Sequence, residues 1–428
     1  MVISKDLKSQ LQSILTLNFL LYLAYRLLHL LWQQFPLRFR RQIKERKLSP
    51  NSIEIRSILL RRKLFEHDIA RECDYLSIFD RLDSIDDLIA ANTHWIPLSF
   101  TRSHVLFVRM PHPLSHYNAM RTPFIYVALF HQATRFTKIT HRLYIELAAK
   151  LPDRSHDIIY SANTPRSGST LLTKMLHIDG TCVGLQELST ISSLAIHKQQ
   201  ASIEDSTLEA LLSATMRFHL ITIPIGQKCI LKSESNGIVL AELLRRIEPN
   251  IKQIFIYRRN VAKAIVSCEK TMLIHAGHAT ALLHRLSVSF AEWLIGCCRY
   301  ETRNYRLIGV RNNLEYAWVI FASPYARYLQ LEQRNEVFDH VTTYEELTSD
   351  ARGTLRTLYS ILDLPVQHID RGMRQLSTDS QQNTALARDN MHKLPFTHKS
   401  DIDVQRAQFA ADQLALHRQF FCGDFYID

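Results

Sequence analysis

The sequence predicts an α/β protein in which a parallel sheet flanked by helices carries an anion-binding strand–loop–helix, preceded by a mainly helical N-terminal region. Three observations predict it. Beyond Asp153, short apolar runs alternate with amphipathic segments, the pattern of strands joined through crossover helices. A loop of small hydroxyl residues around Gly168 separates the first of those strands from the helix after it. Only 11 of 428 residues are glycine and none precedes Gly168, so the first part of the chain has few turns that need positive φ and reads as helix-rich. The chain therefore divides into a helix-rich region over 1–150 and an α/β domain over 151–428.

The elements follow in order. Residues 11–32 are the most apolar stretch, and Asn18, Tyr22, Tyr25, Arg26 and His29 recur at three- and four-residue steps, so they share one face of a helix. Arg26 is too central for a comfortable bilayer span, which favours an amphipathic helix packed on its own domain or lying on a membrane surface. Between Pro36 and Lys63 stand ten basic residues against Glu45 and Glu54, out of a net charge of +11. Residues 11–63 thus offer a peripheral contact to anionic lipid. Nucleic acid is disfavoured, because no aromatic interleaving or binding motif accompanies the charge.

From Ser52 to Asp87 the apolar positions Ile55, Leu59, Leu60, Leu64, Ile69, Leu76, Phe79 and Leu82 favour further helices, with a short strand at 105–108 and one or two helices over 124–150. Strands are expected at 158–160, 230–231, 254–257 and 341–343, with helices at 170–177, 238–247, 261–275 and 354–362. At 46% hydrophobic and 22% charged residues the chain is ordinary for a globular protein, which excludes long disorder and a multi-span membrane protein. The seven cysteines show no C-x-x-C spacing. That usage points to a reducing, cytoplasmic compartment and no structural zinc, and no small-residue cleavage site follows the apolar run. Cys297 and Cys298 read as packing on a helix.

The loop Asn163-Thr164-Pro165-Arg166-Ser167-Gly168-Ser169-Thr170-Leu171-Leu172 combines a strand end, a glycine and a helix N-terminus, so free backbone N–H groups and the helix dipole face an anion. An ATP-binding loop would carry Gly-Lys-Ser/Thr; here Ser169 follows Gly168 and the only cation, Arg166, lies upstream.

The string PRSGSTLL instead resembles the 5′-phosphosulfate loop of sulfotransferases that use 3′-phosphoadenosine 5′-phosphosulfate (PAPS). The resemblance implies that Arg166, Ser167, Gly168, Ser169, Thr170 and Leu171 cradle the phosphosulfate. It also implies that Arg259, with Ser267 eight residues on, grips the 3′-phosphate. Arg258 competes for that role, but Val266 stands eight residues after it, and Val261 replaces the family's frequent proline. The segment Tyr344-Glu345-Glu346-Leu347 is similar to a Tyr-Glu-Asp-Leu run of the family, and the likeness covers 151–428.

The likeness is to the protein-tyrosine sulfotransferase-like and bacterial branch of the family, and the run from Met175 to Glu187 resembles the protein-tyrosine sulfotransferases, which makes Glu187, 21 residues after Arg166, the expected base. Gln186 and Ser189 depart from that family's pattern, so a tyrosine-peptide acceptor loses support. His177 and His219 are rival bases. Lys232, at a strand end, is a candidate to face donor or acceptor, and Asp379-Ser380-Gln381 a polar loop that reads mainly as solvated. The implied activity is transfer of a sulfuryl group from PAPS to a hydroxyl or amine by in-line attack, with Arg166 stabilising the leaving group and no metal. The rivals are an ATP-dependent small-molecule kinase needing Mg²⁺, and a non-catalytic basic protein that binds membrane surfaces or nucleic acid.

Overall fold

The computed structural model describes residues 17–34, 51–65, 68–274, 302–333, 337–398 and 402–422, with single positions between 283 and 294. Arg38, Arg40, Arg41, Lys44, Arg46, Lys47, Cys297 and Cys298 lie outside these residues.

Two five-stranded sheets make up the framework. The second is the parallel sheet that the sequence predicts: β6 (Ile158–Asn163), β7 (Cys182–Gln186), β8 (Lys228–Lys232), β9 (Lys252–Tyr257) and β10 (His340–Thr343) pair in the order β10-β9-β6-β8-β7. Its strands are buried on both faces, which is why they read as continuous apolar runs. Ile158, Tyr160 and Ala162 of β6 join one core with Phe255 and Tyr257, whereas Ile159 joins Ile230, Ile254 and Ile256 in the core on the other face. The latter is closed by helix Ser169–Leu176 and helix Ala351–Ile361, through Leu172, Met175, Leu355 and Leu358.

The region ahead of residue 151 departs from expectation. Helices are present at Leu17–Gln34, Ile125–Gln132 and His141–Ala149, but its centre is an antiparallel sheet. That sheet runs β2-β1-β5-β4-β3, from β1 (Ser52–Arg61), β2 (Tyr75–Ser84), β3 (Trp95–Phe100), β4 (His104–Arg109) and β5 (Arg135–Thr140). In β1, Ile53 and Ile55 are buried and alternate with exposed Glu54, the period of a strand. Register shifts at Ile55/Arg56 and Ile58/Leu60 then break the alternation and leave a spacing that imitates a helix. Glycine is dispensable here because the strands are joined mostly by long segments rather than two-residue hairpins; no described residue before Arg166 has a left-handed backbone.

Helix Ser189–Gln200 joins the two sheets. Ser189 Oγ donates to the Leu98 carbonyl at 2.6 Å, and Ser193 Oγ accepts from Phe100 N at 3.0 Å. Its apolar residues Ile191, Leu194 and Ala195 belong to the core that runs from Ile53 and Phe107 through to Ile158 and Phe255. Burying each such large side chain is worth ~1.5–3 kcal/mol. Arg61, one of the basic window's described members, caps the Phe130, His131 and Ala133 carbonyls with its guanidinium.

Candidate active site

A cavity of about 740 Å³ opens at the carboxyl ends of the parallel strands, and every strand contributes to its lining. Arg166 and Gly168 follow β6, Glu187 follows β7, Lys232 ends β8 and precedes Glu234, Arg258 follows β9, and Tyr344 follows β10. β6 is central, with β8 on one side and β9 on the other, so the cavity sits at the switch point where open α/β sheets place ligands.

The loop after β6 is shaped by three backbone demands. Gly168 has φ +80°, and a Cβ there would lie 2.6 Å from Tyr344 Cδ2, so glycine is required on both counts. Arg166 has φ 61°, a left-handed conformation costing ~1–3 kcal/mol outside glycine. Ser167 Oγ donates to the Thr164 carbonyl at 2.7 Å and is wholly buried; its side chain braces the loop instead of lining the cavity. Ser169, Thr170 and Leu171, at the start of helix Ser169–Leu176, do line it.

Arg166 Nε donates to Ser267 Oγ and its Nη1 to Gln381 Oε1, both at 2.8 Å. The first bond brings together two residues that the sequence assigns to opposite ends of a nucleotide. The second makes the Asp379–Gln381 loop part of the cavity, not a solvated excursion. Loss of water around Arg166 pushes its pKa down from the ordinary guanidinium value, with Arg258 adding to the effect. Asp379 holds this loop by accepting from Gln381 N at 3.0 Å and Arg388 N at 2.6 Å.

Glu187 also has a left-handed backbone, φ 55°. Its N–H donates to the Lys232 carbonyl at 2.7 Å, and its carboxylate pairs with the Lys232 ammonium. The pair is sequestered, the two side chains being 13% and 3% exposed, yet both line the cavity.

The arginines after β9 are not disposed as the resemblance implies. Arg258 lines the cavity, 4.6 Å over the Tyr344 ring and 3.9 Å from Glu345 Oε1 through its Nε, which like that of Arg259 is buried without a hydrogen bond. Arg259 lies outside the lining, 43% exposed and 3.9 Å from Glu346. The Glu345 carboxylate enforces this by accepting from both Arg259 N and Asn260 N, at 2.9 and 3.1 Å. Ser267 lines the cavity.

The two rival histidines, His177 and His219, stand apart from the cavity lining. His177 accepts from Gly184 N at 3.2 Å and lies 3.1 Å from Asp179, and burial lowers its pKa. His219 is buried 2.9 Å from Thr190 Oγ1, with its pKa pushed down to about 3 by desolvation. Sequence reasoning missed Lys263, Lys270, Arg388 and His392, which line the cavity beside an apolar wall that includes Phe124, Tyr126, Leu386 and Met391. Lys263 stands three residues after Asn260, in the first turn of the helix Val261–Ile274 that begins beyond β9, and that position was the available signal for the first. Six cations (Arg166, Lys232, Arg258, Lys263, Lys270, Arg388) face three carboxylates (Glu187, Glu234, Asp379), so the cavity favours a polyanion. Among the described residues no group of three or more His, Cys, Asp or Glu is arranged to hold a metal.

No family model and no curated protein matches the chain. Among solved structures it is similar to the sulfotransferase STF9 from Mycobacterium avium, at 15% identity over 58% of this chain and 76% of that one, with a TM-score of 0.32. A sulfotransferase domain from the curacin biosynthetic pathway is similar at 16% identity, over 61% of this chain and 98% of that one, with a TM-score of 0.33. Mouse sulfotransferase SULT7A1 complexed with PAP is similar at 11% identity, over 61% and 76%, with a TM-score of 0.25. These likenesses concern fold alone, and at such scores the chemistry has to be argued from the cavity's own residues.

Proposed function

We propose that the chain is a sulfotransferase that moves a sulfuryl group from PAPS to a hydroxyl or amine acceptor by in-line attack. The observation that carries the reading is one cavity lined by Arg166 and Gly168 to Leu171 of the PRSGSTLL loop, by Arg258, and by the Glu187–Lys232 pair. Its cationic excess and its volume suit a nucleotide bearing two anionic ends.

PAPS supplies an activated sulfuryl group on a phosphate leaving group. The chain's residues do the rest. Loop N–H groups, Ser169, Thr170 and Arg166 bind the phosphosulfate and neutralise charge on the bridging oxygen as its bond to sulfur breaks. Glu187 takes the proton of the acceptor as the new bond to sulfur forms. Lys232 fixes the Glu187 carboxylate in place. Arg258 with Ser267 takes the 3′-phosphate, in place of the Arg259 that the motif nominates.

Two measurements test this. Labelled sulfate from PAPS should appear on at least one member of a panel of glycans, lipids, phenols and peptides. Calorimetry should show 3′-phosphoadenosine 5′-phosphate binding in the micromolar range, about −8 kcal/mol. Arg258→Ala should weaken it at least tenfold, while Arg259→Ala changes it less than threefold, about 1.4 against 0.7 kcal/mol. Equal affinity for the nucleotide with and without its 3′-phosphate would refute the donor assignment; the opposite ranking of the two arginines would return the role to Arg259.

A further inference from the structure

Helix Leu17–Gln34 is mounted with its polar side inward. Tyr22, Tyr25, Arg26 and His29 are buried, each no more than 5% exposed. The Tyr22 hydroxyl donates to Asp74 Oδ1 at 3.1 Å and accepts from Arg26 at 3.2 Å and Arg71 at 2.8 Å. Phe19 and Tyr22 pack on Leu76, and Trp32 Nε1 donates to the Ser77 carbonyl at 3.1 Å.

The leucines consequently face outward. Leu20, Leu21, Leu27, Leu28, Leu30 and Leu31 are between 40% and 63% exposed. Arg26, the helix's one charged residue, is turned in, so the outer face is uncharged. The Trp32–Ser77 bond sets the end of the helix against the sheet's edge strand β2, whose next residues, Ile78 and Phe79, are exposed as well. An apolar area of that extent and continuity marks a binding surface.

We propose that this face docks on an anionic lipid bilayer, with the helix lying in the plane of the interface. Charge complementarity selects that occupant. The sequence directly after the helix, 36–47, carries six basic residues against Glu45 alone, the composition that anionic headgroups attract. A second copy on the same face would bring two such basic segments together, which like-charge repulsion opposes. Insertion across the bilayer is disfavoured on two grounds. No helix among the described residues is long and apolar enough to cross a membrane, and turning this one out would strip Tyr22 of its bonds to Asp74 and Arg71 and carry the buried Arg26 into lipid.

The inference is independent of the catalytic reading and is tested on the full chain without any sulfate donor. Co-sedimentation with phosphatidylcholine vesicles containing ~30% phosphatidylserine should retain the protein, and ~0.5 M salt should release part of it. Leu27→Glu with Leu31→Glu should lower the bound fraction about tenfold or more. Both positions are more than half exposed, at 55% and 63%, so the variant keeps its melting temperature. Failure of the parent chain to bind anionic vesicles, or equal binding by the double variant, overturns the proposal. So does light scattering that finds a dimer which the same variant dissociates, since that result gives the face to a second copy.

Discussion

Replacing Lys232 by Met leaves the Glu187 carboxylate facing a thioether in a site from which water is largely excluded. The Lys232 side chain is 3% exposed and that of Glu187 13%, so screening by solvent is slight. Breaking one member of such a pair costs about 3–5 kcal/mol, because a desolvated charge is left uncompensated. Glu187→Gln should cost a similar amount by stranding the ammonium. The double variant, Glu187→Gln with Lys232→Met, removes both charges and should recover to within ~1 kcal/mol of the parent chain. Urea unfolding measures all four corners of this cycle. Turnover measured on the same proteins separates structure from chemistry. If Glu187 is the base, Glu187→Gln lowers kcat by ~100-fold or more, and the double variant regains stability without regaining turnover. Recovery of both quantities together would refute the base assignment and make the pair a structural clamp. A cost under ~1 kcal/mol for Lys232→Met alone would refute the buried pairing itself.

Two further predictions concern the loop and the acid limit of stability. Gly168→Ala forces a Cβ into the left-handed region and to 2.6 Å from the Tyr344 ring, so roughly 2–5 kcal/mol of stability should be lost. Nucleotide affinity should fall with it, since Arg258 rests on that ring; a melting curve and an affinity equal to those of the parent would contradict the geometry. His219, held neutral with its pKa lowered to about 3, contributes stability that is complete above the unfolded value near ~6.5 and is lost as pH falls towards the folded one. The parent chain should therefore lose about 2 kcal/mol more than His219→Leu between pH 6.5 and 5, read as the difference between their urea midpoints; parallel profiles would disprove it.

The parallel sheet was legible because its strands are dry on both faces. Ile158-Ile159-Tyr160, Ile230-Leu231 and Ile254-Phe255-Ile256-Tyr257 have no polar alternation to confuse with a helix, and all three are strands. β7 escaped notice: Cys182-Val183-Gly184-Leu185-Gln186 holds a single β-branched residue and a glycine. That glycine is fixed by packing, since a Cβ on Gly184 would meet Thr173 Cγ2 at 2.8 Å. The antiparallel sheet was hidden by the irregular register of β1 against β2, which no spacing rule anticipates. Within the cavity, local motif residues such as Arg166 and Gly168 were readable. Lys270, Arg388 and the presence of Arg258 rather than Arg259 in the cavity wall were not, because they depend on how distant helices and the Glu345 carboxylate orient the chain.

Helix Ser189–Gln200 begins two residues after Glu187 and is hydrogen-bonded to β3 through Ser189 and Ser193. The strained carboxylate-bearing turn is thus bolted at one end to the parallel sheet and at the other to a separate antiparallel scaffold. Changes at Leu98 or Phe100, residues with no place in the cavity wall, can tilt that helix and so swing the turn as a lever swings its short arm. For this molecule, remoteness from the pocket is a poor guide to which substitutions will leave reactivity untouched.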